Sequence, residues 1–344
     1  MIPHAFGRSP AGSVGIEEEL FSLDAGTLEP APFPVELLDG ERLKGELFST
    51  LVELATPVCS SVEEAVEELA ELRARAKRLA AGCGLVLAAA GTWPTAVPEE
   101  QPVSADEGYR RFVDRAGSPA RRQYCCGLHV HVGVESPERC LALLEAVLPW
   151  LPLVLALAAN STYVAGRETG LASSRAEILG LLPRTGAPPA LASYAEWERF
   201  VERLVSLGVA DSFRRMWWDV RPHPEYGTLE LRVPDQPTRL EATGALAALL
   251  HALVAGAEPD GPADRGLYGQ NRWEALRFGP EAELVHPDGS RLVPARELLP
   301  ELLERLGSGH LFAPLQGLDQ AGEQLSLGRA EGLRRLCERL VELT

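Results

Sequence analysis

Three short apolar runs in this chain each carry two polar side chains set two positions apart: Glu17 and Glu19, His129 and His131, Glu230 and Arg232. In an extended strand successive side chains alternate faces, so residues i and i+2 leave the same side of a sheet. Three such pairs can line one sheet face with carboxylates, imidazoles and a guanidinium. That mixture can hold divalent cations and steady a phosphoryl group in transfer, and ATP binding is the reading it points to.

With 344 residues, 46% of them hydrophobic, the chain can bury a large core. No Ser/Gly linker, charge block or internal repeat divides it, so residues 1–344 are expected to form one catalytic domain. A net charge of −16 argues against nucleic-acid or anionic-membrane partners, which want a basic surface, and leaves small molecules as the expected partners. Nothing in the composition speaks against a homodimer. The six cysteines, Cys59, Cys83, Cys125, Cys126, Cys140 and Cys337, show no CxxC spacing, and the adjacent pair suits a disulfide poorly. Reduced thiols and a cytoplasmic location are expected. There is no signal-peptide pattern at the N-terminus, and the apolar run Leu141 to Ala159 carries Glu145, Pro149 and Pro152, which favours a buried helix over a membrane span.

Strands are expected near Ser13–Leu23, Leu47–Thr56, Leu85–Ala90, Gly127–Val134 and Thr228–Val233. Ser61 with Glu64 reads as a capping box opening a helix toward Ala81, and Ser136-Pro137-Glu138 opens an apolar helix after the histidine strand. Further helices are expected at Tyr194–Leu207, Leu240–Ala255, Ala295–Leu306 and Glu323–Leu343, with a polar loop at Glu258–Gly266. Irregular alternation of helices and strands points to an α+β fold whose antiparallel sheet has one covered face and one functional face.

Each pair has a plainer reading as well. The triplet Glu17-Glu18-Glu19 could be a solvated edge strand, and Glu230 with Arg232 an ordinary surface ion pair. The run Cys126-Gly127-Leu128-His129-Val130-His131-Val132-Gly133-Val134 is sharper, although paired histidines also suit a zinc hydrolase given further ligands on later strands. The polar loop Asn160–Arg175 carries Arg167 and Arg175, which in so acidic a chain suggests that it holds a carboxylate or phosphate; Arg221 is a similar candidate.

The motifs GIEEEL, VELATPVC, GLHVHVGV, NSTYVAGRETGLASSR, WWDVRPHPEYGTLELRVPDQPT and QNRWEA are spread from Gly15 to Ala275. As a set they resemble the bacterial carboxylate-amine ligases also called glutamate-cysteine ligase type 2, within the glutamine-synthetase-like superfamily. The resemblance implies a curved antiparallel sheet with helices on its outer face, holding ATP and two or three Mg²⁺ or Mn²⁺ ions. It implies Glu17, Glu19, Glu53, His129 and Glu230 as metal ligands, with Glu46 placed only by its spacing to Glu53. Arg232 would steady the phosphoryl group and, with Glu230, act catalytically; His131 would serve the nucleotide phosphates or support a ligand by hydrogen bonding. Asn160, Arg167, Arg175 and Arg221 would meet substrate.

The implied reaction phosphorylates the γ-carboxylate of L-glutamate from ATP, and an amine, typically that of L-cysteine, then displaces phosphate. No protein nucleophile is needed, in keeping with the absence of a G-x-S-x-G elbow or P-loop. The chain departs from the family pattern at Trp93, where histidine is common, and at Pro234, where cysteine is common, and both departures bear on the acceptor. A γ-glutamyl ligase for another amine, a kinase that stops at the phosphorylated product, a metal-dependent hydrolase and a non-enzymatic metal protein are the alternatives, separable by ADP release and product mass.

Overall fold

The computed structural model describes residues 2–258, 261–307 and 309–344. Its main sheet contains β1 (Val14–Asp24), β2 (Leu43–Gly45), β3 (Leu51–Ala55), β4 (Leu85–Ala88), β5 (Leu128–Gly133), β6 (Val220–His223) and β7 (Thr228–Leu231). The order is β6-β7-β5-β1-β3-β2, with β4 also pairing β1, and every pairing in it is antiparallel. The central strand β1 takes β3 along one edge and β5, then β4, along the other, so that Phe21 pairs with both Leu51 and Ala88.

Alternation assigns the two faces. Ile16, Leu20, Val52, Leu54, Val130 and Leu231 point to one side, where they share a continuous core with Leu69, Leu72 and Ala76 of helix Val62–Ala81 and Leu246, Leu249 and Leu250 of helix Leu240–Ala255. Each such leucine contributes about 1.5–3 kcal/mol by leaving water. The other side carries the three polar pairs. Its far end is closed by a second cluster in which Phe21, Phe48, Trp93 and Tyr124 pack, with Phe21 and Phe48 each 5.2 Å from the Tyr124 ring.

A buried charge lies on the helix side. Glu18 is fully buried and accepts two 2.6 Å hydrogen bonds from the Arg73 guanidinium, one from Thr243 Oγ1 and one from Gln236 Nε2, both at 2.7 Å. This ion pair ties β1 to both covering helices.

The expected strands and helices form, with shorter bounds and some differences. The run Leu47–Thr56 is strand only from Leu51, and β2 and β6 were not anticipated because their short runs lack clear apolar alternation. The expected helix Glu323–Leu343 is two helices, Gln320–Glu331 and Leu333–Leu343, broken at Gly332, whose φ of 86° ends helical geometry. The expected loop to Gly266 gives way to helix Arg265–Phe278, capped by Asp264, which accepts from Gly266 N and Leu267 N; Pro259 and Asp260 of that loop lie outside the described residues. The apolar run forms helix Pro137–Ala158, which is long and apolar enough to cross a bilayer by composition but is mostly buried inside the protein. All six cysteines are free thiols.

Candidate active site

The antiparallel register brings distant pairs into rows. Glu17 on β1 lies opposite His129 on β5, His131 opposite Glu230 on β7, and Glu230 opposite Arg221 on β6; on the other side Glu19 faces Glu53 on β3, which faces Lys44 on β2. All but His131 border one cavity of about 990 Å³.

Two ligand-like groups emerge on this face. Oxygen and nitrogen atoms of Glu17, His131 and Glu230 lie within 4.8 Å of one another, as do carboxylate oxygens of Glu19, Glu46 and Glu53. Lys44 stands between them, 2.7 Å from Glu53 and 3.8 Å from Glu17. Glu46, placed by spacing alone in the sequence, therefore joins the acid group, while His129 and His131 exchange emphasis. His131 donates or accepts at Nδ1 with Thr228 Oγ1 at 2.9 Å, and its buried Nε2, 3.6 Å from Glu17, has no hydrogen-bond partner. His129 Nδ1 instead lies 3.4 Å from both Glu17 and Arg232, and it belongs to neither group of three.

Charge balance differs between the groups. Burial opposes ionisation of Glu17, yet the adjacent His129 and His131 rings hold its carboxyl well below the usual range. Burial works against charge at Glu230 too, but the Arg221 and Arg232 guanidiniums outweigh it and keep that carboxyl low. Burial raises Glu19, Glu46 and Glu53 despite nearby cations, joined by repulsion from Glu53 at Glu19, from Glu53 and Glu19 at Glu46 and from Glu17 at Glu53, and takes Glu19 from the usual 4.5 to about 7. Burial and the nearby Arg232 drive His129 down to about 3, so its ring is neutral, whereas Glu17 overcomes burial at His131 and raises it.

The arginines divide unexpectedly. Arg232 pairs with Glu230 and borders the cavity. Arg221 spends its donors on structure: Nε and a terminal nitrogen clasp Glu230 at 2.5 and 3.1 Å, and the other terminal nitrogen binds the Arg214 and Met216 carbonyls. It positions Glu230, which leaves it no fork for a substrate carboxylate. Arg175 lies across the Gly127 backbone, where an added Cβ would stand 2.1 Å from its guanidinium, and donates to the Val233 and Arg232 carbonyls. That close approach is why Gly127 precedes the histidine strand.

Two expected substrate residues lie elsewhere. Asn160 is 1% exposed, with its amide bonded to Gln236, Thr238 and Gln324. Arg167 is exposed on a hairpin pairing Tyr163–Val164 with Arg167–Glu168. The polarity of the Asn160 loop serves Asp235, whose carboxylate accepts from Asn160 N, Ser161 Oγ and Ser173 Oγ and braces the chain after β7. Trp93 does not border the cavity either: its indole donates to the Leu28 carbonyl within the aromatic cluster.

Lys44 and Tyr109, whose hydroxyl is 3.4 Å from Glu46, belong to the site and were missed. The only sequence signal for Lys44 was its place in a three-residue strand, too short to stand out. Tyr109 comes from helix Glu107–Ala116, which shows no motif.

The description "glutamate-cysteine ligase family 2" matches residues 13–315 of the chain. A Rubrobacter xylanophilus protein provisionally named glutamate–cysteine ligase 2-3 is 45% identical over 88% of this chain and 85% of its own. One from Solibacter usitatus, provisionally named glutamate–cysteine ligase 2, is 35% identical over 97% of this chain and 94% of its own. The crystal structure of a Francisella tularensis glutamate–cysteine ligase in complex with AMP superposes with a TM-score of 0.71, at 13% identity, over 97% of this chain and 89% of that one. The antiparallel sheet with its helical cover is thus the fold of that ligase and the α+β arrangement expected from the sequence. The chain belongs to glutamate-cysteine ligase family 2 and is a ligase of that C–N bond-forming type.

Proposed function

We propose that this ligase joins the γ-carboxylate of L-glutamate to the amine of L-cysteine through a γ-glutamyl phosphate, consuming ATP and releasing ADP and phosphate. The observation that carries the reading is the pair of three-residue ligand groups on one sheet face with Arg232 beside them. The residues fit divalent cations: the buried Nε2 of His131, without a hydrogen-bond partner, stands 3.6 Å from Glu17, and the carboxyls of Glu19, Glu46 and Glu53 converge where burial raises each of them. Oxygen-rich donors with a single imidazole suit Mg²⁺ or Mn²⁺. In this reading Glu17, His131 and Glu230 hold one ion and Glu19, Glu46 and Glu53 another. When bound, such ions neutralise phosphate oxygens and make the phosphoryl group easier to transfer.

The chain's own residues then orient and neutralise. Arg232, fixed by Glu230, presents its remaining donors to the transferring oxygens, and neutral His129 next to it offers a hydrogen bond without adding charge. Lys44 balances the acids. The test is incubation with ATP, glutamate and cysteine, read by ADP release and product mass. ADP and γ-glutamylcysteine formed together support the reading; hydrolysis without ATP, or a phosphorylated product with no amide, would replace it.

Arg232→Lys is expected to lower kcat about 10- to 100-fold, because an ammonium cannot reproduce a planar fork held at one edge by Glu230. An unchanged kcat would remove its role.

The acid group also predicts a pH effect. Glu19, at about 7, is raised from 4.5, so the folded protein holds protons that the unfolded chain has already lost. Its contribution to stability is full below about 4.5 and is lost as pH rises through 7. Glu46 and Glu53 shift in the same direction, whereas lowered Glu17 and Glu230 contribute above 4.5 and lose this only on acidification. Mg²⁺ or Mn²⁺ should therefore raise Tm more at pH 8 than at pH 5, measured against EDTA controls. An equal or smaller increment at pH 8 would count against the site.

A further inference from the structure

Two of the sequence motifs hold charged residues that the cavity does not use, Asp219 in WWDVRPHPEYGTLELRVPDQPT and Arg272 in QNRWEA. The fold pairs them. Arg272, on helix Arg265–Phe278, donates from Nε to Asp219 Oδ2 at 2.6 Å, and the Tyr268 hydroxyl, one turn earlier on the same helix face, donates to that same oxygen. Asp219 and Tyr268 are each 3% exposed. Apolar side chains of similar volume often serve stability as well as a buried ion pair does, so the reason for this one lies in what it holds.

It holds the backbone of Arg232. The Arg232 N–H donates to the Asp219 carbonyl at 2.8 Å, just past the last rung of the β6–β7 ladder, where Val220 faces Leu231. The Arg232 carbonyl accepts from a terminal nitrogen of Arg175 at 3.1 Å. Arg175 lies on helix Ser174–Leu179, and the carbonyl of the next residue, Ala176, accepts from a terminal nitrogen of Arg272 at 3.1 Å. One guanidinium thus grips both the residue that holds the Arg232 N–H and the helix that holds its carbonyl. The contacts close into a ring around a peptide at the end of a strand. Past Leu231 the regular sheet stops, and Pro234 has no N–H to extend a ladder, so this ring fixes where the Arg232 side chain starts.

We infer that Arg272 is a positioning residue of the ligase reaction: through Asp219 on one side and the helix of Arg175 on the other, it sets the Arg232 guanidinium for the transferring phosphoryl oxygens without itself touching substrate. The inference rests on the ligase reading above, and on Arg232 within it, and deepens it. An arginine is required because its planar fork spans two acceptors on different elements, which a lysine ammonium, a single point on a flexible stem, does not. Misplacing a reacting group by about 1 Å costs about 100-fold in rate, so a loosened ring registers in kcat, while ground-state binding, spread over the rest of the cavity, is kept.

The test is a double-mutant cycle on kcat for ADP release with ATP, glutamate and cysteine. Arg272→Lys is expected to lower kcat about 5- to 30-fold, with KM for ATP and glutamate within about threefold of native. Mn²⁺ affinity should stay within about twofold, since Arg221 holds Glu230 independently of the ring. In the Arg232→Lys background, where the group being positioned is gone, the same substitution should change kcat by no more than about twofold. Tyr268→Phe removes only the hydroxyl donor to Asp219 and is the second variant if Arg272→Lys does not fold; it should lower kcat about threefold, again only while Arg232 is present. An equal loss of kcat in both backgrounds, a lower Tm with kcat of the folded fraction unchanged, or a fall in Mn²⁺ affinity parallel to kcat would make the cluster structural and overturn the inference. An undiminished kcat in Arg232→Lys alone would overturn the role of Arg232 and the inference with it. Absence of ADP release from the native enzyme would instead overturn the ligase reading.

Discussion

Glu230→Gln is expected to cut ADP release by roughly 10²- to 10³-fold, with loss of thermal stability in the same variant. Glu230 is 1% exposed, pairs with both Arg221 and Arg232, and supplies an oxygen to the group it forms with Glu17 and His131. Deleting its charge therefore does two things. It removes a proposed cation ligand, and it leaves two guanidiniums, with side chains 7% and 19% exposed, facing a neutral amide. Stranding buried charge typically costs about 3–5 kcal/mol. Glu230→Ala adds a cavity to that cost, so the glutamine variant is the informative one. Circular dichroism establishes the fraction folded, and Mn²⁺ titration separates ligand loss from misfolding. A folded Glu230→Gln enzyme within tenfold of native ADP release would remove Glu230 from the chemistry.

The double duty of Glu230 was only half legible in the sequence. The i,i+2 spacing placed Glu230 and Arg232 on one face, because strand alternation is a local property. Its partner Arg221 is nine residues earlier on a strand with two prolines nearby, and only the hairpin register sets the two opposite each other. The same limit explains the two histidines. Their shared face followed from spacing, but which ring meets Glu17 and Glu230 together depends on rotamers and on Thr228 anchoring His131 Nδ1. Asn160 and Arg167 stand away from the cavity for a different reason. A polar loop looks alike whether its side chains await a ligand or brace a neighbouring strand, and here Asp235, far along the chain, takes up those hydroxyls. The fold was more readable because apolar alternation, caps and glycine stops act within a few residues; it fails in three-residue strands such as β2, where too few positions exist to show a period.

Glu18→Ala should be the most destabilising single change on β1 and yet leave the chemistry of the folded fraction intact. Its carboxylate is the charge partner of Arg73, which is 3% exposed and also donates to the Thr238 carbonyl. Removing it leaves a guanidinium buried among two helices and a sheet, and strips Gln236 Nε2 and Thr243 Oγ1 of an acceptor. About 3–5 kcal/mol is the expected loss, a large part of the net stability of an ordinary domain. The effect comes from exposing a charge that was paired, so it should shrink when both charges go. Glu18→Leu with Arg73→Leu is expected to recover most of the loss, because apolar side chains can fill the site without an unpaired ion. Denaturant unfolding of the two single variants and the double variant measures the coupling directly. Glu19, one residue on, predicts the opposite pattern: on the cavity face, Glu19→Gln should affect ADP release far more than stability, since it relieves repulsion from Glu53. If Glu18→Ala were as stable as the native protein, or if it lowered kcat as much as Glu19→Gln, the separation of a structural from a chemical face by simple strand alternation would fail.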